Sequence, residues 1–239
     1  MLECRNCGAG APLDEHFCPQ CSRIMALGRH GDYFAFLGLR RRLTLDPQEL
    51  EKRFRDLSRK FHPDYYYNAA PAERLASLER SSYLNDAYRA LKNPISRVEH
   101  LLAIEGLPPA KSEEGTAKVP PSLLEEVFAL NEELDEIREL RESGTDPDRL
   151  RARLESARKP IDQKRDEHER QVQQLSALWD SQEDAPAAEK RKTLDVLRER
   201  LLERNYINNL LATIEREVAN LGSGLKAQGS GGPSLSPES

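Results

Sequence analysis

Two groups of residues in this 239-residue chain have types and spacings that could do chemistry. The first is sulfur. Cys4-Arg-Asn-Cys7 and Cys18-Pro-Gln-Cys21 are two CxxC pairs separated by ten residues, and they hold all 4 cysteines. Each CxxC forms a tight knuckle whose sulfurs face one point, so two knuckles can surround a tetrahedral Zn²⁺ with four thiolates. Gly8 and Ser22, directly after the pairs, suit the turn that a knuckle requires. The separation is shorter than the usual spacing of about 15 to 20 residues, which a short ribbon tolerates. Two disulfides or an iron centre of rubredoxin type are the alternatives. The start MLEC lacks a basic region followed by an apolar one, so we expect a cytoplasmic protein, whose reducing surroundings disfavour disulfides. His16 is expected at the surface, because four cysteines already complete a shell. With almost no apolar content, the module should fold only when metal binds.

The second group is Phe61-His62-Pro63-Asp64, followed by Tyr65, Tyr66 and Tyr67. Pro63 disfavours helical dihedrals at His62, so a helix must end there and the triplet must sit in a loop. The helix before it starts at Asp46-Pro47-Gln48-Glu49, with an aspartate cap, proline at the first position and a glutamate that can reach back. Leu50, Phe54, Leu57 and Phe61 then form one apolar stripe, while Lys52, Arg53, Arg55, Arg59 and Lys60 make the rest of the surface positive. A second helix, from about Ala72 to Asn93-Pro94, buries Leu84, Ala87, Tyr88 and Leu91. The pair predicts an antiparallel hairpin with the triplet at its tip, preceded by a short apolar helix around Tyr33, Phe34, Phe36 and Leu37.

Composition says what kind of scaffold holds these groups. Charged residues make up 32% and aromatics 6%, a balance that suits long, solvent-washed helices better than one thick globule. The predicted class is therefore all-α. A formal charge of −5 with interleaved signs argues against a nucleic-acid surface, and no run of about 18 apolar residues would span a membrane. We read a tetracysteine zinc-binding module over 1–25, the helical hairpin domain over 32–105, a Pro/Gly-rich linker over 106–121, a C-terminal three-helix bundle over 122–221 and a disordered Gly/Ser/Pro tail over 222–239.

In the bundle, Leu123, Val127, Leu130, Leu134 and Ile137 step by four and three, a packing seam. Leu124 and Phe128 lie roughly 100° to 140° away from it, beside Glu132. On the last helix Ile207, Leu211, Ile214, Val218 and Leu221 form the seam, with Leu202 and Tyr206 off it. These surplus residues are either a wide core or an exposed patch that captures a protein. Leu150, Leu154, Ala157, Ile161, Val172, Leu175 and Trp179 of the middle helix read as core, with His168 packed among them. No paired carboxylates in a plausible cleft, no Gly-rich phosphate loop and no nucleophile beside a base appear, so no catalysis is expected on this chain.

The basic helix, the His-Pro-Asp turn and the second helix together resemble a J-domain, a context far more specific than the tripeptide alone. The words DYFAFLGL, FRDLSRKFHPD and LNDAYRALKNPISRVEHLL extend the resemblance to HscB, the J-domain co-chaperone family of iron-sulfur cluster assembly, over all but the tail. Some members carry an N-terminal tetracysteine module. The resemblance implies that His62, Pro63 and Asp64 trigger ATP hydrolysis by an HscA/DnaK-type chaperone, the seventy-kilodalton heat-shock class, with Arg53, Arg59 and Lys60 steering the encounter. Tyr65 stands where lysine or arginine usually follows the triplet, which removes one charge. It also implies that the bundle binds an IscU-like iron-sulfur scaffold. Matched through ELDEI, the scaffold-binding positions are Leu123, Leu124, Phe128 and Glu132, with Tyr206 on the last helix; Ala129 replaces an acidic family residue. The spacing gives Cys4, Cys7, Cys18 and Cys21 as the zinc ligands, and the charge pattern and lack of a long apolar run leave neither nucleic acid nor membrane as an expected partner. A general J-protein for unfolded clients and a zinc-ribbon nucleic-acid binder are the alternatives. The first would carry a β-rich client domain and a Gly/Phe-rich linker, which the sequence lacks.

Overall fold

Short polar caps and prolines set where the helices of this chain begin. In the computed structural model, Asp46 accepts a hydrogen bond from the Gln48 amide at 2.9 Å with Pro47 at the first helical position, and helix α2 runs Pro47–Phe61. Asn93 does the same for the Ile95 and Ser96 amides at α4, Pro94–Ile104. Asp32 caps the four-residue α1, Tyr33–Phe36, and α3 occupies Pro71–Lys92. Such caps satisfy amides that a helix start leaves without partners. The remaining helices are α5, Leu124–Glu142; α6, Pro147–Ser181; and α7, Ala187–Gln228. The structure describes residues 1–12, 15–28, 31–107 and 119–228, with backbone alone for 222–228. Positions 108–118 of the expected linker and 229–239 of the expected tail lie outside the described residues. Among the described residues the strands are one two-residue pair, β1 Leu2–Glu3 antiparallel to β2 Gly10–Ala11, so the all-helical expectation holds.

The chain divides into two compact units. The first comprises Met1–Pro109 with Gln174–Arg198. Its core takes Leu50 and Phe61 from α2, Leu84, Ala87 and Leu91 from α3, and Val98, Leu101 and Leu102 from α4, all buried. Phe54 stacks on Tyr88 with ring centroids 4.3 Å apart. The stripes read along the two helices thus face each other. Arg97 is buried too, its Nε donating to the Leu91 carbonyl at 2.7 Å and its Nη1 to the Leu43 carbonyl at 2.5 Å. The Leu43 and Thr44 amides donate to the Asp180 carboxylate at 2.8 and 2.7 Å, which fixes the loop before α2.

The second unit comprises Ala110–Gln173 with Glu199–Ser239. Its core joins Leu130, Leu134 and Ile137 of α5 to Leu150, Leu154 and Ile161 of α6 and Ile207, Leu211, Ile214 and Leu221 of α7. These are the seams expected from the heptad-like steps. Gly144, at φ 82°, makes the turn from α5 toward α6 in a conformation that costs a residue with a Cβ. His168 is buried, its Nε2 2.5 Å from the Arg200 carbonyl, and so is a packed histidine as expected. Leu154→Ala removes a fully buried side chain at the centre of this unit. It should cost about 2 to 5 kcal/mol, read from urea unfolding followed by circular dichroism.

Candidate functional site

Each CxxC closes the same backbone loop. The Cys4 amide donates to the Ala9 carbonyl and the Gly8 amide to the Cys4 carbonyl; the Cys18 amide donates to the Arg23 carbonyl and the Ser22 amide to the Cys18 carbonyl. Gly8 and Ser22 both take positive φ, 72° and 56°, which turns the chain back after the second cysteine of each pair. The two knuckles bring all four sulfurs within 4.8 Å of one another, with Cys4–Cys21 and Cys7–Cys18 at 3.6 Å. A tetrahedral ion with bonds of about 2.3 Å needs sulfur–sulfur edges of about 3.8 Å, so the donors present fit a metal ion. Charge argues the same way. The backbone N–H of Arg23 draws the Cys21 thiol down to about 6. The backbone N–H of Ala9 also pulls Cys7 down, but burial and the sulfurs of Cys21, Cys18 and Cys4 outweigh it and push it up to about 12. All four sulfurs could be thiolates at this spacing only with a cation among them.

His16 is not a surface residue, contrary to expectation. Its Nε2 lies 3.0 Å from the Phe36 carbonyl, its Nδ1 2.7 Å from Arg80 Nη1, and its ring packs edge-on against Phe36 and Phe61. Arg80, on α3, is completely buried. Besides His16 it reaches the Met25 carbonyl through Nε at 2.7 Å, and the Glu15 and Ala26 carbonyls through Nη2 at 3.3 and 3.1 Å. Burial pulls its pKa down to about 10, so it stays cationic at neutral pH. At the rim Arg23 pairs with Glu73 in the first turn of α3 at 2.7 Å. The cysteine module is thus fastened to the helical hairpin. Sequence reasoning missed Arg80, whose partners are mainly backbone carbonyls and leave no residue pattern.

At the tip, His62 is the C-cap of α2, and Pro63–Tyr66 form one turn of 3₁₀ helix. The His62 side chain is 52% exposed and that of Asp64 87%, with His62 Nδ1 3.5 Å from Asp64 Oδ2. The turn is held from inside: the Phe61 carbonyl accepts the hydroxyls of Ser77 at 2.6 Å and Ser81 at 2.9 Å. Tyr66 donates its hydroxyl to the Lys60 carbonyl at 3.0 Å, while Tyr65 and Tyr67 stand in solvent. Arg53, Arg59 and Lys60 are exposed on the preceding helix. Arg53 and Arg59 touch only neighbours on their own helix, Glu49 at 3.3 Å and Asp56 at 4.0 Å, among the ion pairs of the described residues. Pairs of this exposed kind hold little energy and leave the face cationic in character.

In the second unit, Leu124, Phe128 and Glu132 lie four apart on α5 and all three are exposed, Phe128 by 69%. Leu123 is instead buried in the core, because the chain enters α5 through a 3₁₀ turn over Pro121–Leu123 that points it inward. Tyr206 is half-buried against the same core. No helix among the described residues is long and apolar enough to cross a membrane.

No family model matches the sequence. Among solved structures the chain is similar to the human co-chaperone protein HscB, with 25% identity, a TM-score of 0.64, and coverage of 90% of this chain and 98% of that one. It is also similar to the chaperone HscB from Vibrio cholerae, with 25% identity, a TM-score of 0.51, and coverage of 80% of this chain and 99% of that one. The resemblance carried by the sequence words is therefore matched by an HscB-like fold over most of the chain.

Cys18→Ser removes one of the four donors and should lower metal affinity at least about ten-fold, measured by competition with a chromophoric chelator. The ligands must be deprotonated to bind, so protons compete with the metal and affinity should fall as pH falls, the metal leaving in an acid titration.

Proposed function

We propose, from the HscB-like fold as premise, that this chain is a J-domain co-chaperone of iron-sulfur cluster assembly. It would deliver an IscU-like cluster scaffold to an HscA/DnaK-type chaperone and stimulate that chaperone's ATPase. The observation that carries the reading is the solvent-facing His62-Pro63-Asp64 turn at the end of a cationic helix, anchored from beneath by Ser77 and Ser81. An imidazole, a locked ring and a carboxylate held outward can be read by a partner without any refolding of the hairpin, so little conformational entropy is lost on docking. Arg53, Arg59 and Lys60 attract an acidic partner surface and set encounter rate and orientation more than final affinity.

Leu124, Phe128 and Glu132 form the second contact, taken by the scaffold. An exposed phenylalanine flanked by a leucine and a glutamate offers an apolar anchor with a polar rim, the usual make-up of a binding hot spot. Leu123 serves this face from the core and Tyr206 from the neighbouring helix. No bond is made or broken on this chain; ATP is hydrolysed on the chaperone. The ion we assign to Cys4, Cys7, Cys18 and Cys21 is zinc, which takes four thiolates tetrahedrally and has no redox chemistry. A visible absorption band from iron in the purified protein would overturn that assignment.

His62→Gln should abolish stimulation of the cognate chaperone ATPase, followed by phosphate release, with helical circular dichroism unchanged; normal stimulation would remove the trigger role. Phe128→Ala should weaken scaffold binding in calorimetry at least about ten-fold while changing stability by less than about 0.5 kcal/mol, as expected of an exposed position.

A further inference from the structure

Phe61 immediately precedes His62 and is completely buried. Its ring sits in a box built from two directions. Phe36 lies 6.0 Å away within the helical domain. His16 lies at 5.0 Å and Phe17 at 6.0 Å, and both come from the cysteine module, Phe17 being the residue directly before Cys18. The Arg80 guanidinium lies 5.7 Å over the same ring. The segment that supplies His16 and Phe17 is one side of the ribbon carrying the second knuckle. Phe17 bridges to Ile24, and the Met25 amide donates to the His16 carbonyl at 3.0 Å. Arg80 binds carbonyls on both sides of that ribbon, Glu15 on one and Met25 and Ala26 on the other. Arg23 adds a further tie, its amide facing Cys21 and its side chain holding Glu73. The position of the Phe61 ring therefore depends on the ribbon, and the ribbon depends on the second knuckle.

We propose that the metal-bound knuckles set the geometry of the His62-Pro63-Asp64 turn, with Arg80 as the positioning residue that passes the constraint from the module to Phe61. The functional weight of this device rests on the reading of the turn as the chaperone trigger; the device itself does not. Loss of the ion frees the Phe17–Cys18 segment and withdraws two walls of the box. The Phe61 carbonyl stays bonded to Ser77 and Ser81, so the hairpin persists while its tip loosens. The module then regulates how sharply the turn is displayed, instead of contacting a partner of its own.

Hydrogen exchange on the full metal-loaded chain tests this. The amides of Tyr65 and Ala69, bonded to the His62 and Tyr66 carbonyls, report the turn, and those of α5 serve as the internal reference. Chelation of the unaltered chain should speed exchange at the turn at least about ten-fold and leave α5 unchanged, because opening is local. Arg80→Gln should do the same with metal still bound, and Arg80→Lys should fall between. The His62 ring signal in NMR, identified by its absence in His62→Gln, should shift on chelation. A turn that keeps its protection after chelation overturns the proposal, as does Arg80→Gln with metal bound and the turn unchanged. Should Arg80→Gln lose the helicity of 47–92, chelation of the unaltered chain decides alone by the same criterion. A turn that loosens in a protein that stimulates no chaperone ATPase would uphold the coupling and remove the trigger reading.

Discussion

A guanidinium without water around it is the constraint on which the first unit depends. Taking such a charge out of solvent costs several kcal/mol unless its donors are satisfied. Arg80 satisfies them with the Met25, Glu15 and Ala26 carbonyls and the His16 ring, and stacks over Phe61. The planar fork of arginine can reach all of these at once, which the point charge of lysine cannot. Carbonyls fixed by an arginine are also carbonyls fixed in register, so a ribbon with little apolar content of its own acquires one position on α3.

The same logic of internal satisfaction explains why the tip can be polar and outward. A helix end leaves carbonyls without amide partners, and Pro63 has no amide to offer. Ser77 and Ser81 meet that need at Phe61, Tyr66 at Lys60. The His62 and Asp64 side chains can therefore face solvent, with the imidazole also accepting the Asp64 amide at 3.4 Å as the cap of the 3₁₀ turn. In the second unit Leu124, Phe128 and Glu132 are likewise exposed on α5, because Leu130, Leu134 and Ile137 already fill the core. Each unit therefore carries a surface that its own packing does not consume.

Much of this was legible in the sequence because it rests on local rules. Asp46-Pro47 and Asn93-Pro94 announce helix starts, Pro63 announces a stop, and the apolar steps in α2, α3, α5 and α7 give the buried faces directly. The cysteine spacing gives the four-sulfur cluster. What was not legible comes from long-range polar contacts. Arg80 follows Glu79 on α3 and by residue type reads as a surface position; only the backbone carbonyls of a distant segment make it a core one. His16 was likewise hidden, since its partners are Arg80 and the Phe36 carbonyl. Leu123 belongs to the seam by spacing, but the same spacing could not show that a 3₁₀ turn leads into α5 there. Asp180 holds the Leu43 and Thr44 amides across a sequence distance that no periodicity reports.

The matched hydrogen bonds of the two knuckles decide how a metal ion would be gripped. Each loop is closed by its own pair of backbone bonds, Cys4 with Ala9 and Gly8, Cys18 with Arg23 and Ser22. The site is thus two separately closed jaws, not a coil that would wrap around an ion. Either jaw can therefore open without the backbone of the other giving way, and the order in which they open is set by the hydrogen bonds within each loop.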